Sequence, residues 1–180
     1  MRLLRRRARI ITAPHATGAL LLAAAVAPVA TVAAQGTVES SRHLWATVNV
    51  CDTERWPDTV GIRGSMPGSG DPRETMWMRF QVQFQSPVDG KWHNVPAGGD
   101  SGFVVAGAAQ VKARQSGRSF RISPRKGEQV LLRGKVSFEW RVKDVVMRSA
   151  SMRTQKGHKS SAGSDPPGYS AATCTVTPDS

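Results

Sequence analysis

Residues 75–85 read TMWMRFQVQFQ and alternate without a break. Met76, Met78, Phe80, Val82 and Phe84 fall on one side of an extended chain; Trp77, Arg79, Gln81, Gln83 and Gln85 fall on the other. Side chains of a strand point to opposite faces in turn, so this stretch offers one face to a core and the other to water. Antiparallel sheets commonly have that division. The next residues, SPVDGKW, contain Asp89-Gly90, a strong hairpin signal, and Lys91–Val95 is the expected returning strand.

The same period recurs in GKVSFEWRVKD, residues 134–144. Val136, Phe138, Trp140 and Val142 alternate with Lys135, Ser137, Glu139, Arg141 and Lys143, which makes Trp140 a core residue. Lys143-Asp144 starts a turn into Val145–Arg148. Weaker strands are expected at Leu44–Val50, Val60–Arg63, Val104–Val105 with Gln110–Ala113, Ser119–Ile122, Gln129–Leu132 and Thr173–Val176. Glycine, serine and proline clusters separate them: GSMPGSGDP (64–72), PAGGDSG (96–102) and KGHKSSAGSDPPG (156–168). The last is long for a compact domain and marks a mobile loop near 155–170. No segment after residue 34 has a helical apolar period. The fold class expected is therefore all-β, a β-sandwich of about seven to eight antiparallel strands in one domain, 35–180.

The start of the chain has a different character. MRLLRRRARI carries five arginines and no acid, GALLLAAAVA (18–27) carries no charge, and PVATVAAQG (28–36) is rich in small residues. These are the three regions of a helical secretory signal peptide, expected at 1–34 with cleavage after Ala34. The apolar run is shorter than the roughly 20 residues of a membrane span, and Pro28 interrupts it. No stable membrane insertion is expected after cleavage, which leaves 146 of the 180 residues. The expected location is secreted, extracellular or loosely wall-associated.

Cys51 and Cys174 are the two cysteines. Export places them in an oxidising compartment, where a pair ordinarily forms a disulfide; two free buried thiols are the alternative. A metal site needs three or four ligands, and two distant cysteines with scattered histidines do not supply them, so neither metal nor cofactor is expected.

The net charge of +12 includes five signal arginines. Residues 35–111 carry six bases and eight acids, whereas 112–159 carry fourteen bases and three acids. That asymmetry points to an anionic partner, with the alternative that it only keeps a secreted protein soluble. Arg121, Arg133, Lys135, Arg141 and Lys143 are the candidate face, and anionic wall polymers, polysaccharides or an acidic protein are the candidate partners. Export disfavours nucleic acid as the native ligand. Trp77 lies on the polar face of its strand, with Trp92 on the returning strand, so the two are a candidate aromatic platform unless a loop covers them.

One motif suggests catalysis. Gly99-Asp100-Ser101-Gly102 reads GDSG, the tetrapeptide around the nucleophile of chymotrypsin-like proteases. A serine nucleophile needs a histidine base and a group that orients it. His43 and His93 are the histidines between the signal and Ser101; His93 is too near and His43 has the wrong neighbours. Only 66 residues separate Ala34 from Ser101, too few for the first part of a two-barrel protease. GDSG is expected to be a polar turn, Ser101 to be exposed or turn-bonded, and the protein to have no catalytic residues. The carboxylate pairs Asp52/Glu54 and Asp71/Glu74 adjoin turns and are expected to be solvated.

The stretches MRFQVQFQSPVDGKWHNV, KVSFEWRV and TCTV resemble small secreted immunoglobulin-like or fibronectin type III-like proteins of high-GC Gram-positive bacteria. The likeness covers about 130 residues and implies that fold in an extracellular or cell-surface setting, with no catalytic residue. The function expected is a non-enzymatic binding or interaction module at the envelope or outside the cell. A secreted enzyme inhibitor, working through GSMPGSGDP, or a structural accessory domain are the alternatives.

Overall fold

The computed structural model describes residues 41–178. The expected signal peptide, 1–34, lies outside them. The described residues contain nine strands and no helix: β1 Trp45–Thr53, β2 Trp56–Pro67, β3 Glu74–Gln85, β4 Trp92–Asn94, β5 Asp100–Ala108, β6 Ala113–Arg121, β7 Val130–Val142, β8 Val145–Arg153 and β9 Thr173–Val176. They form two antiparallel sheets. The smaller has the order β1-β2-β6. The larger is centred on β3 and β7, with β4 and β5 beside β3 and β8 and β9 beside β7.

Period two decides which sides of these strands meet. Met76, Met78, Phe80 and Val82 of β3 and Val136, Phe138 and Trp140 of β7 are fully or almost fully buried. They share the core with Val48, Val60, Ile62, Met66, Leu132 and Val176. Trp140 takes the expected core place, and its indole N–H donates to the Pro67 carbonyl at 2.9 Å, so burial leaves no orphan donor. Cys51 and Cys174 are joined by a disulfide that ties β1 to β9 across 123 positions.

Three sequence expectations need correction. The strands expected at Gln129–Leu132 and within GKVSFEWRVKD are one strand, β7, which runs from Val130 to Val142 through Gly134. A Cβ there would stand 2.7 Å from the Thr154 methyl and 2.8 Å from Ile62, so glycine permits close packing without ending the strand. Gln110–Ala113, expected as strand, is mostly the turn between β5 and β6. GDSG is not an inter-strand loop in full: Asp100, Ser101 and Gly102 begin β5, at an irregularity where Arg79 faces Phe103 and Gln81 faces Asp100. The Ser101 hydroxyl fills the gap, accepting from the Phe80 N–H at 2.9 Å and donating to the Gly102 carbonyl at 2.7 Å. Sequence alone sees only turn-forming residues there; pairing with β3 makes them strand.

After β8 the chain crosses the outer face of β1 as a strap. Gln155 N–H donates to Ala46 O at 2.8 Å, Val48 and Ala171 exchange bonds of 2.9 and 3.0 Å, and Asp165 N–H donates to Asn49 O at 2.9 Å. The His158 ring stacks on Trp45 at 4.6 Å. The stretch near 155–170, expected to be a mobile loop, makes these contacts, and they cover the edge of β1 that β2 leaves unpaired.

Candidate functional site

The outer face of the larger sheet carries the polar residues of β3 and β7. Cross-strand pairing sets Trp77 against Glu139, Arg79 against Ser137, Gln81 against Lys135 and Gln83 against Arg133. On one flank Lys135 meets Arg153 of β8; on the other Trp77 meets Val105 and Arg79 meets Phe103. Directly opposed side chains on one face lie close enough to interact, so this lattice fixes each charge's neighbours.

Its two ends differ in charge balance. Near Trp77 every arginine has a carboxylate. Arg141 lies between Trp77 and Phe103, 4.7 Å from each ring centre, and its Nε donates to Glu139 at 2.7 Å. Arg79 grips Asp100 with Nε contacts of 2.9 and 3.1 Å, which holds that carboxyl below the usual carboxylate range. The indole nitrogen of Trp77 is buried there and has no hydrogen-bond partner among the described residues. Val105 and Val146 stand beside these pairs, 56% and 46% exposed.

Toward Trp92 the balance changes. The Arg133 guanidinium lies 4.2 Å from the Trp92 ring centre. Its Nε donates to Gln83 Oε1 at 2.9 Å, and the Gln83 amide donates to Asn94 Oδ1 at 3.0 Å. This relay orients one guanidinium edge and leaves the terminal nitrogens for another acceptor. Burial, and then the charge of Arg153, lower the Arg133 pKa from its usual value. Arg133, Lys135 and Arg153 take part in no ion pair among the described residues.

Three of the five expected basic residues, Arg133, Lys135 and Arg141, share this face, and Arg141 is already paired. Lys143 sits in the β7–β8 turn with φ of 54°. Arg121 belongs to β6 in the other sheet, 3.6 Å from Asp58. A basic stretch that is continuous in sequence is thus divided between two sheets. Trp77 and Trp92 are not a pair either. Trp92 pairs with Gln85, eight positions along β3 from Trp77, about 26 Å at strand rise. Each tryptophan carries an arginine instead. Arg153, the end of the same basic stretch, joins Lys135 on this face; Ser149, Ser151 and Arg153 alternate with Ala150 and Met152. Phe103 and the Gln83–Asn94 relay follow only from strand pairing.

The other singled-out residues serve the fold. Glu74 is buried and paired with Arg148, and Asp71 is held by Arg73 at 2.7 Å, with its pKa lowered to about 2 chiefly by that side-chain bond. These two carboxylates are bound by arginines, not merely solvated. Asp52 accepts from the Asp58 and Thr177 N–H groups at 2.8 and 3.0 Å. His93 is engaged by Asp89 at 2.9 Å. Of GSMPGSGDP, Gly64–Pro67 is β-strand, and Gly68 and Gly70 donate to Lys112 O and Ala109 O at 3.1 and 2.9 Å. The sequence matches no protein-family model and no curated protein.

Proposed function

We propose that the protein is a secreted, non-enzymatic β-sandwich module, of the immunoglobulin-like or fibronectin type III-like kind, that binds an anionic partner at the cell envelope or outside the cell. The observation that carries this reading is the trio Arg133, Lys135 and Arg153, three cations with no ion pair among the described residues, the first stacked on Trp92, on a face whose other arginines are paired. Neighbouring like charges are unfavourable until a counter-charge arrives, so the trio favours a bound anion. Stacking on Trp92 and the Gln83 relay reduce the freedom Arg133 loses on binding. An anionic wall polymer or acidic polysaccharide suits an exported protein with such a site.

The test is retention of the mature protein on purified cell wall and on immobilised dextran sulfate across a salt series. Retention should fall as salt rises, because screening weakens exposed charge pairs. The triple substitution Arg133→Gln, Lys135→Gln and Arg153→Gln should abolish it, while Arg121→Gln, on the other sheet, should leave it. Retention insensitive to salt, or equal loss with Arg121→Gln, would overturn the assignment.

A further inference from the structure

Arg63 lies at the middle of β2, the central strand of the smaller sheet, with Thr47 of β1 and Gly117 of β6 as its Cα partners. Alternation turns it away from the core, because Ile62 beside it is fully buried within that core. The strap passes over it. A Cβ on Gly117 would stand 3.1 Å from its Cζ and Nε, and one on Gly163 would stand 2.8 Å from a terminal nitrogen. Glycine on β6 and glycine in the strap together leave room for the guanidinium.

The polar groups around it have partners. Asn49 donates to the Ala162 and Gly163 carbonyls at 3.3 and 2.9 Å, and the Thr47 and Ser170 hydroxyls meet at 2.7 Å. The Gln115 amide binds Ser160 O at 3.3 Å and Ala162 N at 2.9 Å. Arg63 is the exception. Its Nε is buried with no hydrogen-bond partner, and it joins no ion pair among the described residues. Burial lowers its pKa from the usual arginine value.

Arg63 is partly buried and its Nε is shut off from water, whereas buried polar atoms of native proteins nearly always find a partner. The described residues make room for a guanidinium and supply no acceptor to its Nε. We propose that Arg63 is the centre of an anion site between the smaller sheet and the strap, taking a small oxyanion: free sulfate or phosphate, or the carboxylate end of a larger ligand. Nε itself is closed off, so the terminal nitrogens of the partly exposed guanidinium are the donors that an oxyanion accepts. Gly163 lies against the same guanidinium, so the anion binds where sheet and strap meet. The site is on the opposite sheet from Arg133 and stands independently of the function proposed above.

The experiment is a nuclear magnetic resonance titration of the isotopically labelled mature protein with sodium sulfate, phosphate and acetate in turn, following the Arg63 Nε–H signal and the Gly117 and Gly163 amides. A saturable shift at all three positions is expected, accompanied by a rise in Tm with anion concentration. Saturation by sulfate and phosphate alone assigns an inorganic oxyanion; saturation by acetate as well assigns a carboxylate end group. Arg63→Gln should remove the shift at Gly163, and Arg133→Gln should retain it. The absence of a saturable Arg63 shift with all three anions overturns the site, as does an unchanged Gly163 shift in Arg63→Gln. Should Arg63→Gln fail to fold, the wild-type titration decides alone.

Discussion

The Arg133 guanidinium sits 4.2 Å from the centre of the Trp92 rings while Gln83 accepts its Nε–H at 2.9 Å. Stacking and the relay hold one cation from two directions beside two others, Lys135 and Arg153. Trp92→Ala removes the stacking surface and keeps every charge. A cation–π contact at such a site contributes about 0.5–1 kcal/mol, so affinity for dextran sulfate should fall about two- to five-fold by calorimetry at low salt. Arg133→Lys should lose at least as much, since an ammonium keeps the charge but not the planar edge. Wild-type affinity in both variants would show that charge alone matters.

Glu74 has a side chain only 7% exposed and depends on Arg148 for its charge partner. Arg148→Ala would leave a buried carboxylate without a counter-charge. Water reaches the arginine side, which is 38% exposed, so the loss should be about 1–3 kcal/mol, below the usual range for fully buried pairs. Urea unfolding measures it. Glu74→Gln should cost less, because the amide stays neutral at the buried end. A larger loss for Glu74→Gln would refute this account.

His158 stacks on Trp45, and burial lowers its pKa below the ordinary 6.5. The folded protein therefore binds fewer protons there than the unfolded chain does. Its contribution is complete above pH 6.5 and is lost as pH falls below 6.5 through the folded value. Melting temperature should decline over that acidic window, and His158→Phe, which keeps an aromatic ring over Trp45, should flatten this part of the profile. The lowered Asp71, Asp89 and Asp100 act in a separate, more acidic window, since their stabilisation is lost as pH falls through values below 3.8.

Ser101 completes the irregular start of β5 by accepting the Phe80 N–H. Phe80 is fully buried, so Ser101→Ala should destabilise the fold by about 1 kcal/mol in urea unfolding. The wild-type serine should not react with a fluorophosphonate probe, because its hydroxyl is engaged by backbone and not by an imidazole. Labelling that disappears in Ser101→Ala would reverse this reading.

Much of the larger sheet was legible before folding. TMWMRFQVQFQ and GKVSFEWRVKD bury one face each, and burial on one side enforces strict alternation. Their partners were harder to read. β5 begins with Asp-Ser-Gly, and β7 passes through a glycine; local composition signals a turn at both places. Pairing with β3 and close packing against Ile62 and Thr154 override it.

The amino-acid sequence by itself determined the all-β character, the alternating core faces of β3 and β7 and the burial of Trp140, because these follow from periodicity within single segments. It also contained the cysteines that the fold joins. Tertiary structure alone decided which charges are neighbours. It placed Arg121 on one sheet and Arg133 on the other, set Trp77 and Trp92 at opposite ends of a face, brought Arg153 beside Lys135, and closed the strap over Arg63. These relationships depend on strand order and register, which join residues distant in the chain and leave little trace in local sequence.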